Sequence, residues 1–260
     1  MSGDNTMTAA ELGRWVLIFL CAIIFCGSAG YLLFYGQDKV SVEKEFRQIR
    51  ESSRDLSALY ARNNDLVGWI RIKGTRIDYP VMQTPGDPEY YLHRDFNKEY
   101  SDSGTPFLDA GSVALPRPAA DGAATLDVTW NRLIYGHNMK FGTMFHDLLK
   151  YESREFLEKH QTFTFDIYHP ETGVTDSGEY EIFAVCRSRI RREDSNAFSY
   201  YRYAGCTDEG PFQEFVSGVR SESIYDTGIM PHFGDQLVTL STCAYHAGEG
   251  RFYIIGRRIQ

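Results

Sequence analysis

At 260 residues the chain is long enough for one substantial domain with attachments, and that domain can bury its own core. A formal net charge of −8 argues against a nucleic-acid partner. No Cys-x-x-Cys pair, His/Cys cluster with zinc-site spacing, glycine-rich phosphate loop or internal repeat occurs, so neither a metal nor a cofactor is expected.

The first 14 residues are a short tail carrying one basic residue, Arg14. Trp15 to Tyr35 is an almost uninterrupted apolar stretch of 21 residues, long enough to span a bilayer. A cleaved signal peptide is the competing reading, because Ser28-Ala29-Gly30 offers small residues after an apolar core. The apolar run resumes at Tyr31-Leu-Leu-Phe34, however, which favours an uncleaved anchor. Lys39, Lys44, Arg47 and Arg50 follow the span, so a bare positive-inside count would keep the rest of the chain inside. Long domains translocate largely regardless of that count. Residues 36–65 carry Val42, Phe46, Ile49, Leu56 and Tyr60 at three-, four- and seven-residue spacings, the stripe of an amphipathic helix resting on the domain that follows.

From Val67 the pattern changes to short β-branched and aromatic runs separated by Gly, Pro and Asp. The runs predict strands at Gly68–Ile72, Asp78–Met82, Thr105–Leu108, Val128–Tyr135, Thr162–Tyr168, Gly178–Arg187, Gln236–Cys243 and Arg251–Arg257. Many short strands with turn punctuation indicate a barrel or sandwich, and closure into a barrel removes exposed edges. Two stretches read as helical instead: Thr143–His160, as one or two helices, and Asp208–Arg220. Gly111–Asp127, rich in small residues and proline, reads as a mobile surface loop.

The chemistry is concentrated in three places. Thr239-Leu-Ser-Thr-Cys243 ends an apolar strand in a cysteine, and Arg251 opens the next strand, Arg251-Phe-Tyr-Ile-Ile255. If those strands pair across the Gly-containing loop, a soft nucleophile stands beside a fixed donor for an oxyanion. Leu133-Ile-Tyr-Gly-His-Asn138 presents His137 at another strand end, and a cysteine nucleophile needs a neighbouring imidazole. His246, three residues past Cys243, is a rival histidine, but in a turn its side chain has no assured direction toward the thiol. Cys21 and Cys26 lie in the apolar span; Cys186 and Cys206 remain, and a disulfide between them is left open.

Together the three segments resemble the sortase transpeptidases, whose active site is a His, a Thr-Leu-x-Thr-Cys cysteine and a downstream Arg. Val67-Gly-Trp-Ile70, Ile77-Asp-Tyr-Pro-Val81, Tyr90-Tyr-Leu-His93, Gly104-Thr-Pro-Phe-Leu-Asp109 and Tyr135-Gly-His-Asn-Met139 resemble the class B branch in the family's order, over roughly residues 40 to 260. The resemblance implies a mainly β fold, an eight-stranded barrel over residues 66–260, with helices ahead of it and an extra helix before the last-but-one strand. It implies a cytoplasmic tail (residues 1–14), a membrane anchor (15–35) and an extracellular enzyme. The implied catalytic residues are His137, Cys243 and Arg251. Tyr135, Ser241 and Thr242 are the best placed to line a substrate groove. The implied reaction is cleavage of a sorting signal at a Thr–X bond, followed by transfer to an amine of a peptidoglycan precursor. Pilin polymerisation and plain thiol proteolysis are the alternatives, and a non-catalytic barrel kept for binding is a third.

Overall fold

The computed structural model describes residues 9–51, 55–115, 117–118, 125–126, 128–189, 197–243 and 250–259. The chain divides into two compact units between Glu45 and Phe46. Helix α1 (Ala9–Glu51) supplies the first. Its Ala10–Leu32 segment has a mean hydropathy of 2.2 and no buried residue over its apolar window. At about 1.5 Å per residue it is roughly 35 Å long, enough to cross the hydrocarbon of a bilayer.

The second unit opens on the end of α1, where Phe46 and Ile49 are buried. The Phe46 ring meets Tyr79 edge-on, 5.2 Å between centroids. A new helix, α2 (Leu56–Arg62), then starts on Asp55, whose carboxylate accepts from the backbone N–H groups of Ser57 and Ala58. Such a cap is worth about 1 kcal/mol. The apolar stripe expected on a single helix is therefore divided between two, with Phe46 and Ile49 on α1 and Leu56 and Tyr60 on α2. The side chain of Val42 lies outside what is described.

The remaining elements are β1 (Leu66–Arg71), β2 (Asp78–Met82), β3 (Phe107–Leu108), β4 (Arg117–Pro118), β5 (Thr125–Leu126), β6 (Asn131–Tyr135), α3 (Arg154–Lys159), β7 (Thr162–His169), β8 (Val174–Arg189), α4 (Glu209–Glu222), β9 (Leu237–Cys243) and β10 (Gly250–Arg258). Eight of the strands close a barrel in the order β1-β2-β3-β6-β9-β10-β8-β7. All eight expected strand runs are present. β3 and β6 start later than their sequence runs, and β8 is longer at both ends. The fold is thus mainly β.

Burial explains which strands were conspicuous. β7 alternates half-buried and buried residues over most of its length, as a strand with one wet face should. β9 is buried at six successive positions, Leu237 to Thr242. Its second face is covered by a cluster that joins Leu133, Leu237 and Tyr253 to Phe212, Phe215, Val216 and Val219 of α4. Those four α4 positions fall at i, i+3, i+4 and i+7, a single helical stripe. The helix expected at Asp208–Arg220 is α4, starting one residue later, and it spans part of the connection that a parallel β6–β9 pairing requires. The stretch Thr143–His160 is two helices, a 3-10 helix Phe145–Glu152 and α3, the latter capped by the Ser153 hydroxyl on Phe156 N–H.

One expectation needs correction, and one open question is answered. The 111–127 segment is not loop throughout: β4 and β5 pair antiparallel, and its base is pinned by hydrogen bonds between Val113 and Thr129. Residues 116, 119–124 and 127 lie outside the described residues. No disulfide joins Cys186 to Cys206; both are free thiols.

Candidate active site

The sheet brings the sequence's three segments to one end of the barrel. In the antiparallel β9–β10 pair Arg251 stands directly opposite Cys243. Directly opposed residues project from the same face with Cβ atoms about 5 Å apart. On the other side of β9, the parallel β6 ladder sets Tyr135 opposite Ser241. β6 then ends, and the next two residues, Gly136 and His137, turn over the cleft.

The His137 turn is tightly held. Gly136 N–H donates to the Ser241 carbonyl (3.1 Å), and the Thr242 hydroxyl donates to the Gly136 carbonyl (2.7 Å). Gly136 has to be glycine, because a Cβ there would lie 2.5 Å from the Phe145 ring. The His137 carbonyl in turn accepts from Phe145 N–H (2.8 Å). Its ring Nε2 contacts the Leu92 carbonyl at 2.8 Å. A carbonyl only accepts, so Nε2 carries hydrogen and, in the neutral ring, Nδ1 is left with the free lone pair. Burial lowers the proton affinity of this imidazole, and the nearby His93 ring, 5.7 Å away, acts in the same direction. The Leu92 carbonyl and Asp102 oppose that shift without cancelling it.

Cys243, half-buried at the tip of β9, shares a cleft of about 390 Å³ with His137, Arg251, Tyr135, Ser241 and Thr242. Every site residue anticipated from the sequence therefore lines one concavity. Their side chains play unequal parts. The Ser241 hydroxyl lies 2.6 Å from that of Tyr200, and Thr242 is turned onto Gly136. The Tyr135 hydroxyl donates to Asp109 (3.1 Å); burial first, and then the Asp109 carboxylate, hold that phenol firmly protonated. The Arg251 guanidinium donates only to the neighbouring Gly250 carbonyl in the described structure (3.2 Å). His246 lies outside the described residues.

Sequence reasoning missed one wall of the cleft. Leu92 and Glu89 come from a 3-10 turn around Tyr90–His93, and Tyr200 and Tyr201 from another at Tyr200–Tyr203. Tyr200 is fixed by stacking on Tyr253 of β10, 4.1 Å between centroids. The aromatic run Phe198-x-Tyr-Tyr was the available signal, but it lies in a connection with no strand or helix periodicity. Among the described residues, no group of three or more His, Cys, Asp or Glu side chains could hold a metal ion.

Such a site, a strand-tip thiol flanked by an imidazole and a guanidinium in a partly apolar cleft, suits acyl transfer through a covalent intermediate. No family model matches the chain. Sortase B of Listeria monocytogenes serovar 1/2a is 35% identical over 214 residues, covering 82% of this chain and 76% of that protein. The solved structure of a Staphylococcus aureus sortase B–substrate complex superposes with a TM-score of 0.65 at 25% identity, covering 86% of this chain and 97% of the other. Sortase B from B. anthracis in complex with AAEK1 gives the same TM-score at 27% identity, over 86% and 99% of the two chains. With this fold, this cleft and that level of identity over most of its length, the chain belongs to the class B sortases, and it is a cysteine transpeptidase.

Proposed function

We propose that the protein is a membrane-anchored transpeptidase that cleaves the C-terminal sorting signal of secreted proteins at a Thr–X bond and joins the new end to a cell-wall amine. The observation that carries this reading is the convergence of Cys243, His137 and Arg251 on one cleft. In the proposed order of steps, the Cys243 thiolate attacks the Thr carbonyl carbon, and Arg251 donates to the oxygen as it becomes an oxyanion. The C–N bond breaks, and the His137 imidazolium gives its proton to the departing amine. A thioester remains on Cys243. An incoming amine, losing a proton to the now neutral imidazole, attacks that thioester and releases the thiolate. Water in the amine's place would give slow hydrolysis.

Residues 1–14 then form a cytoplasmic tail, 15–35 a single-pass anchor, 36–65 a helical region and 66–260 an extracellular catalytic domain. The apolar Ala10–Leu32 helix supports the anchor by length and composition. The acceptor is taken to be a peptidoglycan-precursor amine; a pilin lysine is the second candidate. Incubating the full-length protein in detergent with a sorting-signal peptide, with and without an amine acceptor, tests the reading. A transpeptidase accumulates the amide product when amine is present and hydrolyses slowly without it. Equal hydrolysis under both conditions would make the protein a thiol peptidase, and no turnover a binding module.

Arg251 separates oxyanion stabilisation from simple charge. A guanidinium offers a rigid fork of donors that an ammonium does not reproduce, so Arg251→Lys should be nearly as damaging as Arg251→Ala. The loss should fall on kcat, because stabilisation present only in the transition state does not tighten ground-state binding. Near-full turnover by Arg251→Lys, or a rise in KM alone, would make Arg251 a docking charge.

A further inference from the structure

We propose that Asn138 and His146 form a hydrogen-bonded relay that positions the nucleophile: His146 orients the Asn138 amide, and that amide holds the carbonyl of Cys243. This rests on the reading of Cys243 as nucleophile and adds two residues to it, neither of which touches substrate in the proposed mechanism.

The argument begins with the β6–β9 ladder. In parallel pairing, successive bonds from one strand step two residues along both chains. Gly136 N–H donates to the Ser241 carbonyl, so the next bond in register would run from the backbone N–H of residue 138 to the carbonyl of residue 243. The strand has already turned away, and Asn138 instead forms an isolated bridge with Met144. The acceptor is nevertheless filled: Asn138 Nδ2 donates to the Cys243 carbonyl at 2.9 Å. A side-chain amide thus stands in for the missing ladder donor. The backbone gains freedom to carry His137 over the cleft, while the tip of β9 stays tied to it.

The tie needs the amide to face one way. Because the Cys243 carbonyl can only accept, Nδ2 must point at it, and Oδ1 must point away. Oδ1 lies 2.7 Å from His146 Nδ1. An amide oxygen also only accepts, so Nδ1 of His146 carries hydrogen and donates. A wrongly turned amide would set two oxygens against each other at Cys243 and two donors against each other at His146. Asn138 is 7% exposed, so water does not readily replace either bond.

The loop shows what holds His146 in place. Met144 sits at φ +55°, in the left-handed region that a non-glycine residue rarely occupies. Its N–H donates to the Tyr79 hydroxyl (3.2 Å), and Phe145 N–H donates to the His137 carbonyl (2.8 Å). Arg76 donates to the carbonyls of Phe141 and Gly142. Strain of this kind persists only where surroundings enforce it, and its result here is to return the chain so that residue 146 meets residue 138.

The test compares His146→Leu with His146→Asn in full-length protein in detergent. Asparagine places its Nδ2 where the imidazole Nδ1 was and keeps the donor; leucine removes it. The readouts are kcat and KM for peptide cleavage, the rate of Cys243 alkylation by iodoacetamide resolved by peptide mass spectrometry, and Tm. The relay predicts that His146→Leu lowers kcat and the alkylation rate about tenfold with KM unchanged, and that His146→Asn returns both to within about twofold of the parent. Asn138→Asp, which cannot donate to the Cys243 carbonyl, should lose at least as much as His146→Leu, and it serves as the second probe should the leucine variant fail to fold. Equal impairment of His146→Leu and His146→Asn, parental rates in His146→Leu or in Asn138→Asp, or a loss confined to KM would each overturn the relay. Cys243→Ala is run alongside. If it remains active, the nucleophile assignment falls and the relay with it; if it is inactive while the His146 variants match the parent, only the relay falls.

Discussion

Cys243→Ala should abolish peptide cleavage, while Cys186→Ala and Cys206→Ala keep most of it. The three thiols differ in place. Cys243 stands at the end of β9, opposite Arg251 and open to the cleft. Cys186 is fully buried on β8, with its sulfur directed at the Val219 carbonyl (3.6 Å). Burial pushes its thiol far above the ordinary range, so it holds almost no thiolate at neutral pH. Cys206 is half-buried, and burial, then the carboxylates of Asp208 and Glu214, push its thiol up as well. Neither lines the cleft. In the proposed mechanism the thiolate is the nucleophile, and of these three thiols Cys243 alone shares a cleft with an imidazole, that of His137. Intact-mass measurement after adding peptide should find one acyl adduct on the parent and none on Cys243→Ala. A folded Cys186→Ala or Cys206→Ala protein without activity would count strongly against the assignment.

What was legible in the sequence follows from where period and chemistry coincide. β9 was conspicuous because both its faces are covered, one by the barrel interior and one by the α4 cluster, which leaves an unbroken buried run, Leu237 to Thr242, ahead of Cys243. β2 was read to the residue because Asp78 and Met82 bracket a short buried run. β3 was overextended, because Thr105 and Pro106 are buried like strand residues, yet only Phe107 and Leu108 stand in register with β2 and β6. The division of the amphipathic stripe into α1 and α2 was invisible to periodicity, since Leu56 continues the same spacing; the signal was Asp55, a cap that the stripe concealed. In the site, the approach of His137, Cys243 and Arg251 to one cleft was readable from strand ends and the family motifs. The Tyr200 wall was not, because its placement depends on stacking against Tyr253, a contact between segments fifty residues apart with no local pattern. Nor was the bond from Asn138 to Cys243, which exists only because β6 turns away one step before its ladder is complete.

His137→Ala should lower kcat by several orders of magnitude and His246→Ala by less than about tenfold, the scale of losing or keeping an acid–base group. His137 is fixed at both ends: its carbonyl accepts from Phe145 N–H, and its Nε2 donates to the Leu92 carbonyl. In the proposed mechanism that leaves Nδ1 as the nitrogen to exchange a proton with the leaving and entering amines. Burial, aided by His93, disfavours the imidazolium, so the folded protein takes up this proton at lower pH than a free histidine would. The sign of the pH effect follows. As pH falls through that lowered value, the ring gains its proton from solvent and can no longer accept one from the nucleophile, so thiolate attack is lost. The acidic limb of kcat/KM should therefore lie below pH about 6.5, the ordinary histidine value. The limb should vanish in His137→Ala and persist in His246→Ala. If His246→Ala loses activity by orders of magnitude and His137→Ala does not, or if the acidic limb lies well above that value, the imidazole at Nδ1 of His137 is not the working acid.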